Sequence, residues 1–241
     1  MIFPPQANHH REMLMTRHPI YSLEFFSGIP ESILASIASD SQLRTAVRNQ
    51  QVITKGSLGD ELFFLIKGRL QVIDVTEDGR ELCIYIINEG EYFGELAVID
   101  GGSRSTSVVS IGDAELMVMS RHTALQLIYS HPILAERLMK KLAYLVRLSS
   151  QNRAMLSIQN PYQRICTVLT TLIRTLPGNL KIIELPPQQS LAGMTNCSRE
   201  TVSRAIGQLL NAGIAEKDRK TLIVREPERL QHIVQGKITT E

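Results

Sequence analysis

Residues 197–210 read Cys197-Ser198-Arg199-Glu200-Thr201-Val202-Ser203-Arg204-Ala205-Ile206-Gly207-Gln208-Leu209-Leu210, and the pattern predicts a helix with two unlike faces. Ser198 is a good N-cap, and Glu200 in the first turn suits the positive end of the helix dipole. At about 100° per residue, Val202, Ala205, Ile206 and Leu209 share one side. Arg199, Glu200, Ser203 and Arg204 share the other. Arginine grips guanine through two acceptors in the major groove and glutamate accepts from the cytosine amino group, so Arg-Glu-x-x-x-Arg opening a helix carries base-reading chemistry. Charges on a helix are more often simply solvated, so the flanking sequence has to decide.

Upstream, residues 187–196 give a short helix and a turn, the first half of a helix-turn-helix. Downstream, Gly213-Ile214-Ala215-Glu216, the basic stretch Lys217-Asp218-Arg219-Lys220 and Thr221-Leu222-Ile223-Val224 read as a two-stranded wing with a basic tip. The whole unit resembles the DNA-binding domain of the CRP/FNR superfamily of transcription regulators, and within it the cyclic-AMP-receptor-like members. The resemblance implies that Arg199, Glu200 and Arg204 read a half-site of T-G-T-G-A type. Ser198, Ser203 and the wing residue Lys220 complete the expected DNA-facing set.

Residues 42–119 change to a period of two. Three runs, 61–66, 69–75 and 82–87, predict strands, the last two joined by a hairpin turn at Glu77-Asp78-Gly79-Arg80. Short strands punctuated by glycines argue for a small antiparallel barrel or roll. Within it, Gly90-Glu91-Tyr92-Phe93-Gly94-Glu95-Leu96-Ala97 followed by Arg104-Ser105 resembles the phosphate-binding cassette of cyclic-nucleotide-binding domains, with Gly56 and Gly68 at the earlier turns. Gly94 lets backbone approach a ligand, and the short turn after it aims free N–H groups at an anion. Glu95 can accept from a ribose 2′-hydroxyl, and Arg104 can fork onto a cyclic phosphate with Ser105 beside it. The competing structural reading is a Glu95–Arg104 salt bridge in a roll without an effector.

A long helix is expected from His131 to about Ser157, after a helical turn at 122–128, with Pro132 where a helix begins. Leu138, Leu142, Leu145, Ser149, Asn152 and Leu156 step by 4, 3, 4, 3, 4, the seam of a coiled coil, so a homodimer is expected. Met139 and Val146 mark a second apolar side that would pack on the roll. Ser149 and Ser150 fall where, in the cyclic-AMP receptor family, a Thr-Ser pair contacts the base from both subunits.

Asn160-Pro161 marks the hinge between domains. A helix at 163–176, a stop at 177–179, a strand at 180–185 and a closing helix at 226–234 complete the reading. The predicted class is α+β: a jelly-roll-like cyclic-nucleotide-binding β-roll, a long dimerisation helix and a C-terminal winged helix-turn-helix. The expected divisions are a tail at 1–22, the roll at 23–130, the dimerisation helix at 131–159 and the DNA-binding domain at 160–241, with 236–241 frayed.

Composition agrees. Residues 158–241 hold 11 Lys and Arg against 7 Asp and Glu, an excess that permits DNA binding without proving it. No run of eighteen apolar residues is present and residues 1–19 lack a signal-peptide core, so a cytoplasmic address and no membrane partner are expected. Cys83, Cys166 and Cys197 are widely spaced and read as buried thiols, with neither a disulfide framework nor a metal site. No nucleophile or P-loop motif is present, so an enzyme is not expected. His9, His10, His18, His122, His131 and His232 lie in the tail, at helix edges or in the last helix, and the cassette lacks the His or Cys of a haem sensor. A sensor module gating a partner protein would have no use for the reading helix. The resemblance therefore implies cyclic AMP, and by the hydroxyl chemistry of Ser105, Ser149 and Ser150 also cyclic GMP, as effectors, with palindromic DNA and RNA polymerase as partners and no metal or cofactor.

Overall fold

The computed structural model describes residues 18–75 and 81–237. The expected hairpin turn at 77–80, most of the N-terminal tail with His9 and His10, and the last residues of the expected frayed end lie outside this range. A 3-10 turn at Pro19–Ser22 already packs, with Ile20 fully buried. A second turn, Glu24–Phe26, leads to α1 (Glu31–Asp40).

Eight strands follow: β1 (Gln42–Ala46), β2 (Gln51–Ile53), β3 (Glu61–Lys67), β4 (Leu70–Val75), β5 (Glu81–Ile87), β6 (Tyr92–Phe93), β7 (Ser107–Ser110) and β8 (Ala114–Ser120). They form two four-stranded antiparallel sheets, ordered β1-β8-β3-β6 and β2-β7-β4-β5, with α2 (Glu95–Asp100) between β6 and β7. Alternation in β3 shows why the sheets face as they do. Phe63 and Leu65 point into the roll, while Leu62 and Phe64 point out, and all four are buried. The outer face is covered by the lead-in turns and by two helices, α3 (Arg121–Ser130) and α4 (Pro132–Leu156). Arg137 on α4 fastens this layer, donating to the carbonyls of Phe25 (2.8 Å) and Ser27 (2.7 Å). The expected turn at 122–128 is thus a full helix, capped by Ser120, whose hydroxyl accepts from the Thr123 N–H.

The phase of α4 corrects the coiled-coil expectation. Leu134, Leu138, Lys141, Leu145, Leu148, Asn152 and Met155 are buried or half-buried and step by 4, 3, 4, 3, 4, 3 along the side that faces the chain's own fold. Met139, Ala143, Val146 and Ser150 form an exposed stripe on the other side, Met139 and Val146 at 61% and 68%. Of the expected seam, Leu138, Leu145 and Asn152 therefore face the chain's own fold, while Ser149 and Leu156 are exposed, and the side expected to pack on the roll is exposed at Met139 and Val146. Both sides step at heptad-like spacing, so periodicity alone could not say which met the roll.

Asn160 caps α5 (Pro161–Thr171), its side chain accepting from the N–H groups of Tyr162 and Gln163. The helix expected to reach 176 stops at Thr171. Ile173–Leu176 is instead a strand, β9, paired with β10 (Leu180–Glu184) around a turn in which Asn179 takes a positive φ of 59°. Then come α6 (Gln188–Thr195), α7 (Arg199–Asn211), β11 (Ala215–Asp218), β12 (Thr221–Val224) and α8 (Pro227–Val234). The wing is not an isolated ribbon: β12 also pairs with β10, giving a sheet ordered β11-β12-β10-β9. Val202, Ala205, Ile206 and Leu209 are all buried in this third core, as their spacing predicted.

Candidate functional site

The predicted cassette is a cavity of about 420 Å³ enclosed by the roll interior, α2 and one side of α4. Gly94 caps α2 with a φ of 82°, a left-handed conformation that favours glycine. A Cβ there would lie 2.6 Å from Arg104 Nη1, so the guanidinium occupies the space that only a glycine leaves. Arg104 is 5% exposed and donates through Nη1 to the Gly94 carbonyl (2.8 Å) and through Nη2 to the Glu61 carbonyl (2.7 Å). Its plane lies over the Phe63 ring, 5.5 Å from the centroid. Burial pulls the Arg104 pKa below its ordinary value, against the attraction of Asp60, Glu61 and Glu95.

Glu95 is also 5% exposed. Burial pushes its carboxyl above the usual carboxylate range, opposed by its own N–H and by the charges of Lys141 and Arg104. The structural alternative of a Glu95–Arg104 salt bridge is not what holds Arg104; neutral backbone carbonyls do. Among the described residues no carboxylate forms an ion pair with it. Leu96, Ala97 and Ser105 line the same cavity, as does Ser149 from α4. Ser150 does not line it. It sits on the exposed stripe, its hydroxyl donating to the Val146 carbonyl (3.1 Å).

Two α4 residues have a place in the site that the sequence did not show: Asn152, read as a seam residue, and Lys141, not singled out. Asn152 Nδ2 donates to the Ile84 carbonyl of β5 (3.2 Å), tying the helix to the cavity wall. Lys141 lies over the Tyr92 and Tyr85 rings, 5.2 and 5.8 Å from their centroids, and supplies the largest attraction by another residue acting on Glu95. The alternate phase of the same 3-and-4 stepping, beginning at Leu134, is the signal that contained them.

The helix expected to carry the DNA-facing residues is α7. Ser198 accepts from the Thr201 N–H (3.2 Å) and opens α7. Arg199, Glu200, Ser203 and Arg204 are all exposed along its outer face, and Lys220 is exposed at the wing tip. A hydrogen bond from its own N–H, then one from Ser198, holds the Glu200 carboxyl below its ordinary value, with Arg199 and Arg204 adding attraction. The tight turn between α6 and α7 passes through Asn196 at φ 48°. Arg164 braces it, donating to the Thr195 carbonyl (2.6 Å), the Ile158 carbonyl (2.6 Å) and Cys197 Sγ (3.2 Å). Cys83 and Cys166 are buried and Cys197 is half-buried, and burial pushes the first two thiols up to about 12.

Comparison with known proteins agrees with both halves. Residues 43–131 match the cyclic nucleotide-binding domain family and residues 163–233 the Crp-like helix-turn-helix domain family. The Cyclic AMP receptor protein of Thermus thermophilus is 30% identical over 211 residues, spanning 88% of this chain and 96% of that relative. The chain belongs to the CRP/FNR family. A second CRP/FNR relative, the CRP-like cAMP-activated global transcriptional regulator of Mycobacterium tuberculosis, is 27% identical over 209 residues, 85% of this chain and 93% of its own length. The solved structure of FixK2 from Bradyrhizobium japonicum shares the fold, with a TM-score of 0.71 at 17% identity over 83% of this chain and 99% of that one. As a CRP/FNR member the chain is a cyclic-nucleotide-binding, DNA-binding transcription regulator and not an enzyme. No helix among the described residues is long and apolar enough to cross a membrane.

Proposed function

We propose that this regulator works as a homodimer whose effector is cyclic AMP, that its pocket also accepts cyclic GMP, and that the bound nucleotide favours the arrangement that binds a T-G-T-G-A-like palindrome. Arg104 carries the reading. It is a buried guanidinium held by two neutral carbonyls, which fix its position and leave its charge and further N–H donors for an anion. The cyclic phosphate would sit on Arg104, with Ser105 and the N–H groups of Leu96 and Ala97 at the start of α2 around it. The Glu95 carboxylate would accept from the ribose 2′-hydroxyl.

Ser149 lines the pocket while Ser150 belongs to the exposed stripe of α4. In a dimer closed along Met139, Ala143 and Val146, a base would meet Ser149 of its own chain and Ser150 of the partner subunit. Hydroxyls both donate and accept, so the 6-amino group of adenine and the 6-oxo group of guanine are both served. A ligand touching both subunits favours one dimer geometry over another, which is the differential interaction that a population shift needs. On the DNA side, Arg199, Glu200 and Arg204 would read bases, with Ser198, Ser203 and Lys220 beside them. Two heads on a two-fold dimer require half-site centres about 34 Å apart. RNA polymerase is the further partner this reading implies.

Calorimetry with cyclic AMP and cyclic GMP, followed by DNA binding to palindromic and scrambled sites, tests the reading. Heat with both nucleotides and nucleotide-enhanced affinity for the palindrome are expected. No heat with cyclic AMP refutes the effector, and equal affinity for both DNAs refutes sequence reading. Ser149→Ala with Ser150→Ala should retain much of the nucleotide binding yet lose most of its effect on DNA affinity.

A further inference from the structure

Gly193 sits inside α6, the first helix of the helix-turn-helix, although glycine is among the weakest helix formers. A Cβ at Gly193 would meet the Cys83 N at 2.7 Å, the Cys83 Cβ at 3.1 Å and the Glu81 carbonyl oxygen at 3.1 Å, all of them atoms of β5 in the roll. One turn earlier on the same face, Ser190 is 3% exposed and its hydroxyl donates to Gln71 Oε1 of β4 at 2.6 Å. The opposite side of α6 is committed to its own core through Leu191 and Ala192. β5 is the edge strand of its sheet, and a covering helix is one way proteins protect such an edge. The same ribbon walls the nucleotide pocket, through Val72 of β4 and Ile84 and Tyr85 of β5.

We propose that Ser190 and Gly193 are positioning residues that seat the helix-turn-helix on the β4–β5 ribbon, and that this seat carries the state of the pocket to the reading helix. Gln71 and Cys83 bear α6, while their neighbours Val72 and Ile84 face the ligand cavity. A nucleotide that braces the ribbon therefore firms the support on which α7 is aimed. The seated arrangement leaves Arg199, Glu200, Ser203 and Arg204 exposed, so the seat does not cover the DNA-facing side chains. Glycine is required because any side chain at 193 would have to displace strand backbone rather than a flexible side-chain end. The coupling half of this proposal rests on the cyclic-nucleotide reading above; the seat itself does not.

Two measurements on the full chain separate these halves: amide hydrogen exchange of the peptide 81–87, and DNA affinity with and without cyclic AMP. Gly193→Val is expected to speed exchange in 81–87 and to cut the cyclic-AMP-induced gain in DNA affinity about tenfold, while cyclic AMP still binds. Gln71→Ala, which leaves the helix-turn-helix sequence untouched, should cut the gain about threefold. Ser190→Ala should match it, and the double variant should be no worse than either single one. Unchanged exchange in both Gly193→Val and Gln71→Ala overturns the seat. Faster exchange with an undiminished gain, or strictly additive losses at Gln71 and Ser190, overturns the coupling. A wild-type chain with no cyclic-AMP response refutes the effector reading and the coupling together, and the exchange arm then decides the seat alone.

Discussion

The pocket and the reading head use similar residues, arginine, glutamate and serine, under opposite physical conditions. In the head, Arg199, Glu200, Ser203 and Arg204 lie on one exposed, hydrated helix face. In the pocket, Glu95 and Arg104 are each 5% exposed, in a cavity closed by two sheets and a distant helix. The head spends folding energy only on its apolar side. The pocket keeps a carboxyl and a guanidinium away from water in the fold itself, and burial shifts both pKa values toward the neutral form. Losing a group should therefore be graded and sequence-dependent in the head, but close to all-or-none in the pocket.

The sharpest test of that contrast is Arg104→Leu. With its counter-charge gone, nucleotide affinity should fall by about a hundredfold to a thousandfold, while sedimentation still shows a folded dimer. Calorimetry reading unchanged affinity would move the ligand site elsewhere. Next in size are the two sides of α4. Leu138→Ala should cost about 2 to 5 kcal/mol of folding stability, as buried leucines do, without altering association. Val146→Asp, on the exposed stripe, should leave the thermal midpoint of the monomer in place yet abolish the dimer. The reverse pattern would restore the coiled-coil seam read from sequence.

In the head, Arg204→Ala should cost about 1 to 3 kcal/mol per half-site and relax the preference for guanine at one position. A uniform loss across all DNA sequences would make it a phosphate contact instead.

The smallest effect distinguishes the regions by pH. Burial raises the Glu95 carboxyl above its ordinary 4.5, so the ligand-free folded chain holds that proton more tightly than the unfolded chain does. Its stabilising contribution is full below the unfolded value and is lost as pH climbs through the raised one. Glu95→Gln should accordingly raise the midpoint of the nucleotide-free chain at pH 7, a gain that shrinks as pH falls toward 4.5. A gain independent of pH would come from packing. Glu200, exposed and shifted the other way, should show no comparable gain on conversion to glutamine.

What could be read without coordinates was local. The cap at Ser198, the four buried positions of α7 and the strand runs of the roll are set by backbone periodicity and by residue chemistry over a few turns, and the Gly94-Glu95 to Arg104-Ser105 spacing was legible through its resemblance to a family motif. The helix boundary at Thr171 was misread because Ile173–Leu176 is apolar enough to continue a helix. Pairing with β10, which comes later in the chain, makes it a strand. The phase of α4 failed for a related reason: two apolar stripes at the same heptad-like spacing differ only in which one meets Leu62, Phe64 and Met117 of the roll.

Lys141 beside Glu95, Asn152 on the Ile84 carbonyl and Gly193 against Cys83 join residues 46, 68 and 110 positions apart. The sequence by itself determined most of the elements and the residues that face solvent on α7, because those follow from short-range geometry, and the two chemistries came through the family resemblance of their motifs. Which helix side closes the pocket, which carbonyls hold Arg104, and why a glycine interrupts α6 were decided only when distant strands and helices packed, since a side chain's environment is made by the neighbours that folding brings to it.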